Sequence, residues 1–554
     1  MESSAVKDRD PRARLAIRRW DELRQERTQF EPDWNDIARL IRPQRGGFGM
    51  GEVGDRTLEK PLNSQPITSQ QNFAANIFGT LNNPANTWMG LKFEDPDLNL
   101  FPATKEWLWH ASRIVLNSFR PAVSPFYPAT IQLYSDIASF GNGAQYDEID
   151  VGRRRFMDVT VSLAEVVWDI DAYGEVSEIV RRFTLTAHAA VEMFAGRGAL
   201  PPSIREKADK YEPHKYRFFH HIMRNPDRQP GRLGARGKAW LSRYACEEAE
   251  CLISEKGYDE MPFDIARWEV ETGFTAGTGP GFVALASARS VHLMDAATLR
   301  ASQSAADPTK LVPDRDVWEM SGKIRPGSFI YGGVNANGQK MIHNLEAHGD
   351  IGLTIDQKRE MMSAINDAFY GQLMNVQGRT GVTPLEAMEM QEERMRLMAP
   401  NLGRVQHEFL RPKIGRRFSM LMKAGMIPPP PKEAQGQPLD IEYQSAAALA
   451  QKSAEGAAIM RIFADISPLI QIKPRMADRL DDDALIEALH EARGAPPSIL
   501  RSREEADALS RQRAEAQNQA SMMQAMESGS TSVRNLAQAA QAAGMGAGGG
   551  GEAA

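Results

Sequence analysis

The run from Asp350 to Pro431 constrains this 554-residue chain more than any other stretch, because it holds three helix-length segments with marked ends. The first is expected to open at Thr354, with Gln357 three residues on. That pair makes a capping box, in which each side chain satisfies a backbone N–H the helix leaves over. Met362, Ile365, Phe369 and Leu373 recur at helical spacing and define a buried face. The second segment opens at Thr383, with Pro384 first and Glu386 third, and is expected to stop at Pro400. The third runs from Asn401 to Gly425, with Leu402, Val405, Phe409, Ile414, Phe418 and Leu421 in a stripe. Pro412 should kink it, and Gly425 with Pro428–Pro431 should end it.

The rest of the chain mixes periods. Residues 11–41, 64–89, 102–119 and 126–140 read as helix-like, the second ending in Asn82-Asn83-Pro84 and the last at Gly141-Asn142-Gly143. The period then falls to two. Val159, Val161 and Leu163 alternate, and residues 162–183 read as strand, Asp171–Gly174 turn, strand. Thr186 is expected to cap a helix through Phe194, with another near Ile204 to Lys210. Tyr216 to Met223 reads as a strand, more strand-like pieces follow, and a bend at Gly277–Gly281 leads into a long helix to Ala306. Residues 307–350 are irregular. Later helices are expected over 444–466, over 480–492 behind Asp481–Asp483, and from 503 to 520, led by a Ser502/Glu505 capping box. The Gly, Ala, Gln and Ser from Ser528 onward read as a disordered tail. The fold class is therefore mixed α+β, mainly helical.

Several kinds of chemistry are excluded. Gly237-Lys238 and Gly322-Lys323 lack the glycine and hydroxyl residue of a nucleotide-binding loop, and His407-Glu408 is not followed by a second metal-binding histidine. GMGEVG at 49–54 has the letters of a dinucleotide loop but no strand before it, and reads as a plain loop. His220-His221 lies in a strand-like piece that sends the two rings to opposite faces. Asp481–Asp483 reads as a helix cap rather than a metal site. Cys246 and Cys251 make no zinc set and read as reduced thiols of a reducing compartment. No apolar run reaches the ~18–20 residues of a membrane span. The net charge of −6 argues against tight sequence-independent DNA binding. No cofactor, metal or catalytic residue is expected.

Two basic groups remain. One is Arg228, Arg232, Arg236 and Lys238 in a Gly/Pro/Arg-rich loop; the other is Lys310, Arg315, Lys323 and Arg325 in the irregular region. Each could be a solvated loop, a phosphate contact or a docking surface.

Five passages, in order, carry a resemblance: WDELRQERTQFEPDWNDIARLIRPQRGGF, FYPATIQLYSDIASFGNGAQYDE, VVWDIDAYGEVSEIVRRFTLT, GYDEMPFDIARWEVETGFTAGTGPGFVAL and RTGVTPLEAMEMQEERMRLMAPNLGRVQHEFLRP. Together they resemble the head-to-tail connector, or portal, family of short-tailed bacteriophages. The chain departs from the family at 273–280, where GFTAGTGP stands in place of an acidic residue and a Tyr-Gly-Arg. The resemblance implies a portal fold of wing, stem, clip and crown, in a ring around an axial channel. It assigns 1–185 and 353–440 to the wing, 186–210 and 281–306 to stem helices and 211–280 to the clip. Residues 307–352 would hold the channel loop, 441–520 the crown and 521–554 the tail. Lys310, Arg315, Lys323 and Arg325 become DNA-channel candidates, and the 228–238 cations docking candidates. The implied partners are further copies of the chain in a dodecamer, double-stranded DNA, the terminase packaging motor and a tail adaptor. Capsid, scaffolding and internal core proteins complete the set, at the unique portal vertex of a virion assembled in the host cytoplasm. The competing readings are another head–tail assembly protein, adaptor or scaffold, without a channel, and an enzyme.

Overall fold

The computed structural model describes residues 10–46, 48, 61–150, 152, 155–194, 200–306, 310–311, 335, 337–340, 343–344, 351–371, 396–443, 456–462, 464–466, 481–493, 499–500 and 503–544. The chain divides into two compact units, residues 1–89 with 113–428, and residues 90–112 with 429–554.

The first unit opens with α1 (Pro11–Arg27). Asp10 caps it by accepting from the Arg12 N–H at 2.9 Å. Next come α2 (Glu31–Leu40), α3 (Gln65–Leu81) and, after α4 (Pro102–Ser118), the buried α5 (Phe126–Phe140). Phe126, Leu133, Tyr134, Ile137 and Phe140 of α5 are all core residues. Gly141 ends α5 in the left-handed region at φ 69°, and a Cβ there would lie 2.3 Å from the Thr278 carbonyl carbon. Only glycine fits both demands. The Gly277–Gly281 bend is thus explained: it packs against the end of α5, and Asn142 exchanges two 2.7 Å hydrogen bonds with Gly277.

Strands β2 (Asn142–Asp150) and β3 (Arg155–Val161) form a hairpin. They join β9 (Phe263–Arg267) in a sheet of order β3-β2-β9. A second, antiparallel sheet runs in sequence order through β4 (Val166–Ile170), β5 (Val176–Thr186), β6 (Lys215–Arg224), β7 (Trp240–Cys246) and β8 (Cys251–Tyr258). Strand alternation in β6 decides what covers each face. Phe219 packs with Trp20, Leu23, Val167 and Val180 under α1. Tyr216 and Phe218 pack with α6 (Ala187–Phe194) and α7 (Pro202–Asp209). The two histidines part as expected: His221 Nε2 lies 2.6 Å from Glu178 Oε1, while His220 stacks on Tyr244 at 4.0 Å.

This sheet crosses the boundary expected at residue 186, since β5 pairs with β6 from Glu178 through Thr186. Residues 186–210, which the resemblance assigns to the stem, hold two eight-residue helices, Ala187–Phe194 and Pro202–Asp209, close to the two expected behind Thr186 and near Ile204. Gly196, Gly198 and Pro201 lie between them in sequence, and Pro202 takes the first position of the second helix.

A 27-residue helix, α8 (Pro280–Ala306), follows, close to the length expected. The next, α9 (Ile351–Ala368), begins three residues before Thr354, which therefore lies inside the first turn rather than at the cap. The sequence places Asp350, itself a favoured capping residue, directly before it. Residues 396–405 are helical straight through Pro400, contrary to the expected stop. Met398, Leu402 and Val405 are buried at helical spacing, and that burial outweighs one lost backbone bond. The kink expected at Pro412 takes the form of a π turn over Gln406–Leu410, in which the Arg411 N–H donates to Gln406 O. The widened turn relieves the clash of a proline ring with a carbonyl one turn back. Then α10 (Arg411–Lys423) closes in a Schellman motif: Gly425 has φ 69°, its N–H donates to Met422 O, and the Met426 N–H donates to Leu421 O. The Thr383/Glu386 capping box, Leu373, Ser502 and GMGEVG lie outside the described residues.

In the second unit β1 (Met89–Phe93) pairs with β12 (Leu439–Tyr443), and Phe93 stacks on Trp107 at 5.9 Å. Asp481 caps α11 (Asp482–Arg493), accepting from the Ala484 N–H at 3.0 Å, as expected. The last helix, α12 (Arg503–Gly544), runs through the stretch expected to be disordered from Ser528. Its alanine, glutamine and methionine are strong helix formers, which the compositional argument undervalued.

Candidate functional site

The loop between β6 and β7 is a built hairpin end. The Asn225 side chain donates to Lys238 O at 2.9 Å and Ala235 O at 3.2 Å, and accepts from the Asp227 N–H. The Gln229 N–H donates to Arg236 O, and Gly231 and Gly234 take positive φ. At the tip Leu233 is 99% exposed. Arg228, Arg232 and Arg236 surround it, exposed and without an ion pair among the described residues. Lys238 differs from the other three. Its Nζ lies 2.7 Å from Asp259, which also takes Lys423. These two ammonium groups hold the Asp259 carboxyl below its ordinary range. Lys238 therefore fastens the base of the hairpin, while three arginines and a leucine stand at its end. The sequence pointed to the cations but not to Leu233, which one-letter context cannot distinguish from a core residue.

Of the channel candidates, Lys310 lies in a two-residue strand, β10 (Lys310–Leu311), where it pairs with Asn344 of β11 (His343–Asn344). Arg315, Lys323 and Arg325 lie outside the described residues.

Before them, α8 has two unlike faces. Ala284, Leu285, Ala288 and Val291 are buried. Arg289 pairs with Asp33 and Asp36, and Lys358 with Asp295, fixing the helix against α2 and α9. The opposite face exposes Val283, Ala286, Leu293 and Ala297, with Val283 at 70% and Leu293 at 68% exposure. Those positions follow the 3-4 spacing of a helix seam, yet nothing within the chain covers them among the described residues.

Sequence reasoning missed a buried charge cluster. Lys413, Arg416 and Arg417 of α10 enter the interior beside Asp147 of β2, Asp158 of β3 and Asp264 of β9. Arg417 Nη2 donates to both Asp158 oxygens, at 2.8 and 2.7 Å, and its guanidinium lies 3.9 Å from the Phe156 ring centre. Arg416 Nε donates to Asp147 at 3.0 Å. Lys413 Nζ lies 2.9 Å from Asp264 and 3.4 Å from Asp158. Burial works to raise Asp158, but Arg417, Lys413 and Ser124 together hold it below its ordinary value. Burial also dominates at Asp264, whose carboxyl is pushed up to about 7. Its contact with Lys413 is one of charge rather than an aligned hydrogen bond, since both Asp264 oxygens lack a hydrogen-bond partner. Nothing in the spacing of these cations along the helix marks them as buried.

No group of three or more His, Cys, Asp or Glu side chains is arranged to hold a metal among the described residues, and no described helix is long and apolar enough to cross a membrane. What the chain offers is surfaces, a hairpin tip and an open helix face, set on a framework pinned by buried charge. That is the equipment of a structural assembly protein. The chain belongs to the bacteriophage head to tail connecting protein family, whose family model matches residues 13–500. It is similar to the portal protein of Salmonella phage epsilon15, 28% identical over 93% of this chain and 92% of that one. It is also similar to the probable portal protein of Bordetella phage BPP-1, 24% identical over 94% and 95%. A chain from the virion of a gene transfer agent aligns over 78% of this chain and 91% of that one, at 13% identity and a TM-score of 0.35.

Proposed function

We propose that this chain is the portal of a tailed bacteriophage head. As the family resemblance implies, copies close into a ring of roughly twelve, the closed alternative to the filament that identical head-to-tail contacts would otherwise build. The ring sits at one capsid vertex and forms the passage for DNA entering during packaging and leaving during ejection. The observation that carries this reading is the family match over residues 13–500; the exposed face of α8, where Val283, Ala286, Leu293 and Ala297 suit the flank of a neighbouring helix, supports contact between copies. In this reading residues 281–306 are stem, 307–352 hold the channel loop, and 441–520 form the crown.

Passage requires that DNA slide. Each copy adds a net charge of −6, so the assembled ring as a whole carries no excess of positive charge to grip the duplex. Lys310, Arg315, Lys323 and Arg325 would supply local basic rings that hold the DNA in position without gripping it. The hairpin tip, in the clip of residues 211–280, would dock the terminase motor and later the tail adaptor. Arg228, Arg232 and Arg236 steer the encounter and Leu233 gives it an apolar anchor. The packaging motor, not this chain, would hydrolyse ATP.

Electron microscopy of the purified protein should show closed rings with an axial hole. Single chains or filaments would count against the portal reading and favour an adaptor or scaffold.

A further inference from the structure

The turn joining β7 to β8 brings the two cysteines of the chain face to face. Cys246 ends one strand, Cys251 begins the next, and the two are direct partners in the antiparallel register. Directly opposed residues of an antiparallel pair have Cα atoms about 4.5–5.5 Å apart and side chains on the same face. A disulfide spans a Cα separation of about 4.4–6.8 Å. Both side chains lie on one core cluster, Cys246 within it beside Phe218 and Tyr244 and Cys251 packed against it. Both are reduced thiols; Cys246 is buried and Cys251 partly exposed.

We propose that Cys246 and Cys251 form a redox-reactive pair that closes into a cross-strand disulfide when the chain meets a small-molecule disulfide such as oxidised glutathione. Cys251, the more accessible of the two, reacts first. Its thiolate attacks one sulfur of the small disulfide; that S–S bond breaks, the other sulfur leaves as a thiolate, and a mixed disulfide remains on Cys251. The Cys246 thiol, which donates to Glu248 Oε2 at 3.4 Å, then loses its proton by way of that carboxylate to solvent, and its sulfur attacks the Cys251 sulfur, breaking the mixed disulfide and expelling the second small thiolate. Two protein thiols lose two electrons and two protons, and the small disulfide becomes two thiols. The second step is the slow one, because burial pushes the Cys246 thiol up to about 12. Closure therefore quickens as pH rises.

The turn so closed holds other parts in place. Glu250 accepts from the Asp10 N–H and pairs with Arg14 at the start of α1, while Glu248 accepts from the Arg217 N–H. A disulfide would lock this corner once the chain leaves a reducing compartment. The inference stands on the strand register and is independent of the portal reading.

The test is intact mass of the full native chain after incubation with oxidised glutathione at alkaline pH and an acid quench. The expected result is a loss of two hydrogens, disappearance of both thiols from alkylation, and full reversal by dithiothreitol. Closure should slow at neutral pH. Cys246→Ser should instead stop with one glutathione on Cys251. A wild-type chain that keeps a glutathione on Cys251, links to a second chain, or still alkylates at both positions would overturn the proposal. Because the decisive readout is on wild-type protein, a poorly folding serine variant leaves it falsifiable.

Discussion

At the residue scale, the buried cluster puts opposing forces on single carboxylates. Burial lifts Asp264 from 3.8 to about 7; Lys413 opposes the rise and Asp147 adds to it. The folded chain thus holds this proton more tightly than the unfolded chain. The contribution of Asp264 to stability is complete below pH 3.8 and is lost as pH rises through about 7. Glu178 has the opposite sign. Burial raises it, but hydrogen bonds from His221 and Arg19 bring it from 4.5 down to about 2. Its contribution is present above pH 4.5 and is lost as pH falls toward 2. Asp264→Asn should therefore flatten the decline in stability between pH 3.8 and 7 and leave the acid limb intact. Denaturant midpoints measured across that range check it; an unchanged slope would mean that Asp264 does not titrate there. None of this was legible in the sequence. Asp147, Asp158 and Asp264 lie far from Lys413 along the chain, and only the pairing of β2 with β3 and β9 brings them together.

At the scale of elements, local signals were legible and tertiary ones were not. Gly141, Gly174 and Gly425 all take the left-handed conformation that their positions in the pattern suggested. The strand-turn-strand reading of 162–183 matches β4 and β5 from Val166 on, with a turn in place of strand over residues 163–165. Proline was the weak guide. Pro400 and Pro412 were both read as interruptions, yet one is carried inside a helix and the other answered by a π turn. What separates them is packing. Reverting the π turn to α geometry would rotate the preceding segment by about 100° relative to α10. Phe409 would then leave the core, and Glu408 would lose Arg267, held now at 2.7 Å. Pro412→Ala is accordingly expected to keep the π turn and to gain far less than the ~3 kcal/mol that separates alanine from proline in a helix interior. Equilibrium unfolding measures this. A gain near ~3 kcal/mol would show that the proline alone imposes the turn.

At the scale of the whole molecule, five ordered passages carried the family from sequence alone, and the family match over residues 13–500 agrees with them. The surface by which copies would meet was not legible, because the Ala, Ser, Leu and Met of α8 are spread around the helix with little contrast. Only burial separates the face against the chain from the face left open. That division makes the assembly reading testable at one side chain. Leu293 is 68% exposed, so Leu293→Asp should change the stability of a single chain by no more than about 0.5 kcal/mol. In a ring the same carboxylate would be buried against a neighbour at every copy, without a partner charge, and desolvation would oppose closure each time. Leu293→Asp should therefore leave the circular dichroism spectrum unchanged and shift the mass, read by mass photometry, from rings to single chains. Leu233→Asp makes the same chemical change at the hairpin tip and should leave the rings whole, because that leucine is assigned to an outside partner. Rings of full mass from Leu293→Asp, or their loss from Leu233→Asp, would mean that the two surfaces have been assigned the wrong way round.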